Sequence, residues 1–133
     1  MKALRLFIFA SVLLSQLSCT TDPEDNYVVY KINVDNITHP DTISINDTLI
    51  IKFYGFIGPD GCHRFSHFEE HEKTNELEIA VWGSKPNFET VCPTVLVYLD
   101  GKEYKTVLNH GGLYHVKINQ PDNNILLDSV YVQ

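Results

Sequence analysis

The run Leu113-Tyr114-His115-Val116-Lys117-Ile118, the cluster Pro121-Asp122-Asn123-Asn124 and the run Ile125-Leu126-Leu127-Asp128-Ser129-Val130-Tyr131-Val132 decide the fold class. Tyr114, Val116 and Ile118 alternate with His115 and Lys117. On a pleated strand successive side chains point to opposite faces, so this pattern puts one face in a core and the other in water. Pro, Asp and Asn together mark a turn. The same signature runs upstream. Val28, Tyr30, Ile32 and Val34 interleave with Lys31, Asn33 and Asp35, and Asp41 to Ile45 is a short run ended by Asn46-Asp47. Leu49, Ile51 and Phe53 alternate with Ile50, Lys52 and Tyr54 before Gly55 and Gly58-Pro59-Asp60-Gly61 break the strand. Cys62 to about Glu70 reads as a strand joined by Glu72-Lys73-Thr74-Asn75 to a partner over Glu76 to Gly83. Thr94 to Leu99 is followed by Asp100-Gly101, a type I′ hairpin signal because both central residues need positive φ. Lys102 to Leu108 is then the return strand, ended by Gly111-Gly112.

Strands at roughly 8–12-residue spacing with no helical period predict an all-β fold, an antiparallel sandwich of about 8 strands over residues 27–133. The closing pair, Gly112-Leu113-Tyr114-His115-Val116 followed by Val130-Tyr131-Val132, resembles the last two strands of immunoglobulin-like bacterial envelope domains. That resemblance covers about 20 residues, implies an antiparallel immunoglobulin-like β-sandwich and gives Tyr114 the part of the tyrosine corner.

Composition excludes several function classes. Ten Lys plus Arg stand against 17 Asp plus Glu, a formal charge of −7, and no basic run forms a nucleic-acid footprint. An apolar content of 44% is too high for a disordered chain. There is one apolar stretch, short and N-terminal, so the chain is not a multi-span membrane protein.

That stretch is a targeting segment. Lys2 and Arg5 precede an apolar core from Leu6 to Leu14, and residues 1–18 read as a cleaved signal peptide. Gln16-Leu17-Ser18-Cys19 resembles the lipobox of bacterial lipoproteins, with Gln16 where Leu is usual. The resemblance implies that Cys19 is acylated and becomes the mature N-terminus, giving an anchor to the membrane through several acyl chains. Ordinary signal peptidase would put the bulky Gln16 at −3, and a third reading leaves the segment as an uncleaved anchor. Thr20 rather than Asp after the Cys implies the outer membrane. Residues 19–26 form an acidic tether with Asp22, Glu24 and Asp25, which is either a surface-export signal or a solvated spacer. The mature chain has 133 − 18 = 115 residues and a charge of 8 − 17 = −9, which anionic headgroups repel.

With Cys19 lipidated, Cys62 and Cys92 remain, and an oxidising compartment predicts a disulfide between them.

His63, His67 and His71 recur every four residues, and His67-Phe68-Glu69-Glu70-His71 matches the H-x-x-E-H signature of inverted zinc proteases. That signature needs a helix, whereas on a strand four residues at ~3.3 Å each put successive histidines about 13 Å apart. The strand reading therefore predicts a row on one face, with Phe65 and Glu69 between, and no chelate. Cys62-His63 is not a thiol–base pair, because neighbours on a strand point to opposite faces. His110-Gly111-Gly112 resembles an esterase oxyanion loop, but no G-x-S-x-G supplies a nucleophile, and no P-loop or G-x-G-x-x-G is present. The chain reads as a non-enzyme with no cofactor. Trp82, Tyr54, Tyr98 and Tyr104 are the aromatics expected at the surface, where such residues contact sugars or proteins. Asp41-Thr42-Ile43, Asp47-Thr48-Leu49 and Asp128-Ser129-Val130 resemble bacterial O-glycosylation acceptors and equally read as turn or strand-entry residues. The function expected is a lipid-anchored envelope binding or structural module with a protein or glycan partner. The alternative is a metal-binding envelope lipoprotein using the His63/His67/His71 region.

Overall fold

The structure is a computed structural model that describes residues 26–133; the signal segment, Cys19 and the acidic residues of the tether lie outside the described residues. The fold is all-β, with no α-helix among the described residues. In chain order the strands are β1 (Tyr27–Lys31), β2 (Asn36–Thr38), β3 (Thr42–Ile43), β4 (Thr48–Tyr54), β5 (Phe56–Gly58) and β6 (Arg64–Lys73). They continue with β7 (Glu76–Pro86), β8 (Val97–Tyr98), β9 (Lys102–Val107), β10 (Gly112–Asn119) and β11 (Ile125–Val132).

A six-stranded sheet is built on β7, which takes β6 along one edge. Its other edge is shared, β1 pairing with the C-terminal half and β10 with the N-terminal half; β11 and β3 follow outward. A three-stranded sheet has the order β2-β4-β9, and β5 pairs with β8. The inward faces share one core. Leu77, Ile79, Val81, Val116, Ile118, Val130 and Val132 come from the large sheet, and Leu49, Ile51 and Phe53 come from β4. These are the alternate residues that the period-2 pattern marks, and burying each such side chain contributes roughly 1.5–3 kcal/mol.

Two pairings are parallel, β7 with β10 and β3 with β11, so the large sheet is mixed rather than antiparallel throughout. The chain between β7 and β10 passes through β8 and β9 in the other layer, and such a crossover returns it in the same direction. Alternation carries no information about strand direction.

The turn chemistry holds locally. Asn75 (φ 58°) and Asn123 (φ 59°) adopt the left-handed conformation that asparagine tolerates, at the β6–β7 and β10–β11 turns. The β6–β7 connection is shorter than the four residues expected: β6 continues to Lys73, leaving only Thr74 and Asn75.

Asp100-Gly101 has positive φ at both residues (43° and 76°), and Lys102 N–H donates to Leu99 O at 3.0 Å. It does not make a hairpin, however. β8 pairs with β5 and β9 with β4, so the two strands flanking the turn never pair with each other. Phe53 faces Lys102 and Phe56 faces Tyr98, with two residues between on one strand and three on the other, which makes Asp100-Gly101 a bulge within a long antiparallel ribbon. The dihedral demand that selects Asp-Gly is the same in both settings; the partner strand decides which one forms.

A second bulge lies in β6, where Phe65 faces Gly83 and His67 faces Trp82, leaving Ser66 as the extra residue. It breaks the simple alternation. Phe65 and Phe68 both pack on the core, Phe68 against Phe53 and Tyr104 at centroid distances of 5.1 and 5.4 Å. Lys102 lies over the Phe65 ring, and the Tyr104 hydroxyl donates to Glu70, so β6 and β9 are stitched across the layers.

The chain crosses from the large sheet to the small one between Lys31 and Asn36. Ile32 N–H still donates to Val81 O (2.7 Å), and Asp35 N–H already donates to Tyr54 O (2.9 Å). Between them Val34 has no strand neighbour. The Gln120 side chain, 8% exposed, takes that place: its Oε1 accepts from Val34 N–H at 2.9 Å and its Nε2 donates to Val34 O at 2.8 Å. Tyr114 is fully buried, but its hydroxyl has no hydrogen-bond partner among the described residues, so the bond that defines a tyrosine corner is not made.

Candidate functional site

The break between β4 and β6, which reads only as turn residues, builds the most featured corner of the molecule. Cys62 and Cys92 are joined as a disulfide across 30 residues of sequence, with Cα atoms 5.3 Å apart. Gly61 N–H donates to Pro93 O at 2.8 Å and reinforces the staple. Asp60 Oδ1 accepts from Cys62 N–H at 3.0 Å and lies 2.8 Å from His63 Nδ1. Gly58 is required here, because a Cβ on it would lie 2.2 Å from the His63 ring. The Tyr30 hydroxyl donates to Ile57 O at 2.9 Å, and its ring meets His63 edge-on at 5.9 Å. Burial first, and then the Asp60 charge, push the Tyr30 hydroxyl pKa up.

Two concavities adjoin at this corner. An apolar groove of about 300 Å³ is lined by Val28, Tyr30, Phe56, Ile57, Pro59 and His63 among others. A cleft of about 260 Å³ is lined by Asp60, His63, the disulfide, Phe88 and Glu89 among others. His63 and Lys85 line both. Phe56 and Phe88 in these linings are exposed, and Phe56 meets Tyr98 edge-on at 5.6 Å; Val95 and Leu96, between Cys92 and β8, are exposed as well. Val91, next to Cys92, is 97% exposed. Grouped exposed apolar residues are a feature that binding surfaces share.

The Asp60 carboxyl is held below the ordinary aspartate range, chiefly by the hydrogen bond from His63. A pKa lower folded than unfolded favours the fold above the unfolded value, and that contribution is lost as pH falls through the folded one. His63→Ala is therefore expected to raise the Asp60 pKa toward its ordinary value in a carboxyl-carbon NMR titration. An unchanged titration would show that His63 does not hold the carboxylate.

The three histidines are not brought together as a ligand set: among the described residues the one group with clustered ligand atoms is Asp60, Cys62 and Cys92. Nor do they form a row with Phe65. His63 precedes β6 and faces the groove, whereas the Ser66 bulge separates Phe65 from the face that carries His67. His67 stacks on Trp82 (planes 9° apart, centroids 6.1 Å), and His71 Nε2 lies 3.5 Å from Glu69 Oε1.

Among the aromatics expected at the surface, Tyr98 is exposed and Tyr104 is not, at 7%. Tyr104 points inward because its β9 position alternates onto the core face. Tyr54 and Trp82 are half-buried. Trp82 is flanked by His67 and by Lys31, whose Nζ stands 5.6 Å from the ring centre, and its Nε1 donates to Glu69 at 2.8 Å. Its faces are thus occupied. Thr42, Thr48 and Ser129 are all exposed, on β3, β4 and β11. Comparison with protein-family models, with curated proteins and with solved structures finds no match for this chain. The corner was missed in the sequence because its apolar members sit in short, irregular segments with no period.

Proposed function

We propose that the protein is a lipid-anchored module of the bacterial cell envelope that binds a protein partner through the apolar corner around Phe56, Tyr98 and Phe88. The observation that carries this reading is the exposure of those side chains beside a groove stiffened by the disulfide. A rigid apolar surface contributes affinity without a large ordering cost. A protein suits the corner better than a glycan, because its exposed residues are mostly aliphatic and phenyl groups and the indole of Trp82 is covered. The anchor rests on the leader and Cys19, and the place of action is the outer membrane, with surface display suggested by Asp22, Glu24 and Asp25. For the domain itself we infer an immunoglobulin-like β-sandwich, supported by the shared core of the two layers; the two parallel pairings fit this less well than the rest.

A photo-crosslinking amino acid at Tyr98, used in cells of the source type, tests the binding surface. Discrete adducts are expected, and Phe56→Glu should weaken them at least ~10-fold, the loss of one anchor worth over 1.4 kcal/mol. Adducts that survive Phe56→Glu unchanged would sink the assignment. The tether has its own test. Cys19→Ala should move the protein from the membrane fraction to the soluble one, since acyl chains supply nearly all the membrane affinity. A variant that still sediments with membranes after high-salt washing would refute lipidation as the anchor.

A further inference from the structure

We propose that the Cys62–Cys92 corner is a redox-gated metal site: on reduction of the disulfide, Cys62, Cys92 and Asp60 together bind one zinc ion. The two sulfurs and a carboxylate oxygen of Asp60 all lie within 4.8 Å of one another. A tetrahedral zinc with bonds of about 2.3 Å holds two thiolates roughly 3.8 Å apart. The Cα atoms are 5.3 Å apart, so side-chain rotation provides that separation once the bond is broken.

The surroundings meet the other demands of a metal site. Asp60 Oδ1 is fixed by Cys62 N–H (3.0 Å) and His63 Nδ1 (2.8 Å), while neither bond uses Oδ2. A carboxylate ligand oriented by an imidazole is the kind of outer support that metal sites use. Asp60, Cys62 and Cys92 are all partly exposed and line the 260 Å³ cleft, which gives the ion an entry path. Three protein ligands leave the fourth position to water. Thiolates select zinc over the hard cations calcium and magnesium.

A dithiol supplies two electrons and two protons; the Cys62–Cys92 bond breaks, two thiols form, and the dithiol leaves as its own disulfide. Zinc then displaces both thiol protons to solvent and binds the two thiolates and the Asp60 carboxylate. Reoxidation by a small-molecule disulfide, which takes up the two electrons and two protons and leaves as two thiols, re-forms the Cys62–Cys92 bond and expels the zinc, because a disulfide offers no thiolate. The site adjoins the proposed partner surface, since Phe88 lines the same cleft, but zinc binding rests neither on that surface nor on the anchor.

The test is zinc titration of the full-length purified protein against a chromophoric chelator, before and after reduction with a phosphine. The reduced protein is expected to bind one zinc at least ~100-fold more tightly than the oxidised one, as thiolates are the principal ligands. Asp60→Asn should weaken that binding at least ~10-fold. Cobalt in place of zinc should show the thiolate charge-transfer band, and zinc should raise the melting temperature of the reduced protein only. Cys62→Ser/Cys92→Ser, which lacks both the staple and the thiols, shows by circular dichroism whether the fold survives and should bind no zinc tightly. Equal affinity before and after reduction, or equal affinity with and without the Asp60 carboxylate, overturns the proposal. So does a reduced protein that binds zinc only when unfolded.

Discussion

Replacing Gln120 by leucine is expected to destabilise the domain by about 2–4 kcal/mol, although volume is nearly conserved and no charge changes. Among the described residues it is the Gln120 amide that satisfies both the N–H and the C=O of Val34. Val34 is 2% exposed, so water cannot replace the lost partner. Each orphaned buried group costs about 1–3 kcal/mol. A leucine has no polar atoms and strands both groups. Urea unfolding at neutral pH would show the loss as a lower midpoint with little change in slope. Gln120→Glu separates hydrogen bonding from packing: as a carboxylate it accepts from Val34 N–H but cannot donate to Val34 O. The Glu variant should therefore be destabilised at neutral pH and regain part of the loss on acidification, when its carboxyl carries a proton. A Leu variant within 0.5 kcal/mol of the parent would show that the crossing strand does not depend on this side chain.

Removing the staple has the other large effect. Cys62→Ser/Cys92→Ser is expected to cost about 3–4 kcal/mol in the chain-entropy account of a loop of this size. Much of the ~5–15 kcal/mol margin of such a domain is then spent, and the melting temperature should fall by roughly 15–25 °C. The loss should concentrate on residues 87–96. That segment has no regular strand pairing of its own and is tied to the core chiefly through Cys92 and the Gly61–Pro93 hydrogen bond. Hydrogen exchange there should accelerate more than in β4 or β10. Non-reducing peptide mapping should recover a peptide joining residues 62 and 92, and two alkylatable thiols in the untreated protein would contradict the bridge.

Much of the candidate corner was present in the sequence as isolated facts: a Cys pair, a Gly-Pro-Asp-Gly break, a run of apolar residues with no period around 91–98. What could not be read was their convergence. Asp60 and Cys92 are 32 positions apart, and only the path of β6 and β7 out and back returns the chain to the same place. The histidines illustrate the reverse case. Their four-residue spacing suggested a common face, but one extra residue at Ser66 shifts the alternation, and His63 lies before the strand begins.

By itself the sequence determined the all-β class, most strand positions, the turn residues and most of the side chains that alternate into the core, Tyr104 and Phe68 excepted. These depend on local quantities: the period of 2, the φ preferences of Asn, Asp and Gly, and the cost of exposing Val, Ile and Phe. The hairpin neighbours β6–β7 and β10–β11 were legible from their turns, whereas the tertiary structure alone decided which of the other strands lie side by side and in which direction. It also decided that Asp100-Gly101 is a bulge and not a hairpin, and that a glutamine amide stands in for a missing strand at Val34. The physical reason is that alternation specifies a face and not a neighbour. An apolar face is satisfied equally by a parallel or an antiparallel partner, and the choice is made by loop closure and by the fit of buried side chains across the two layers.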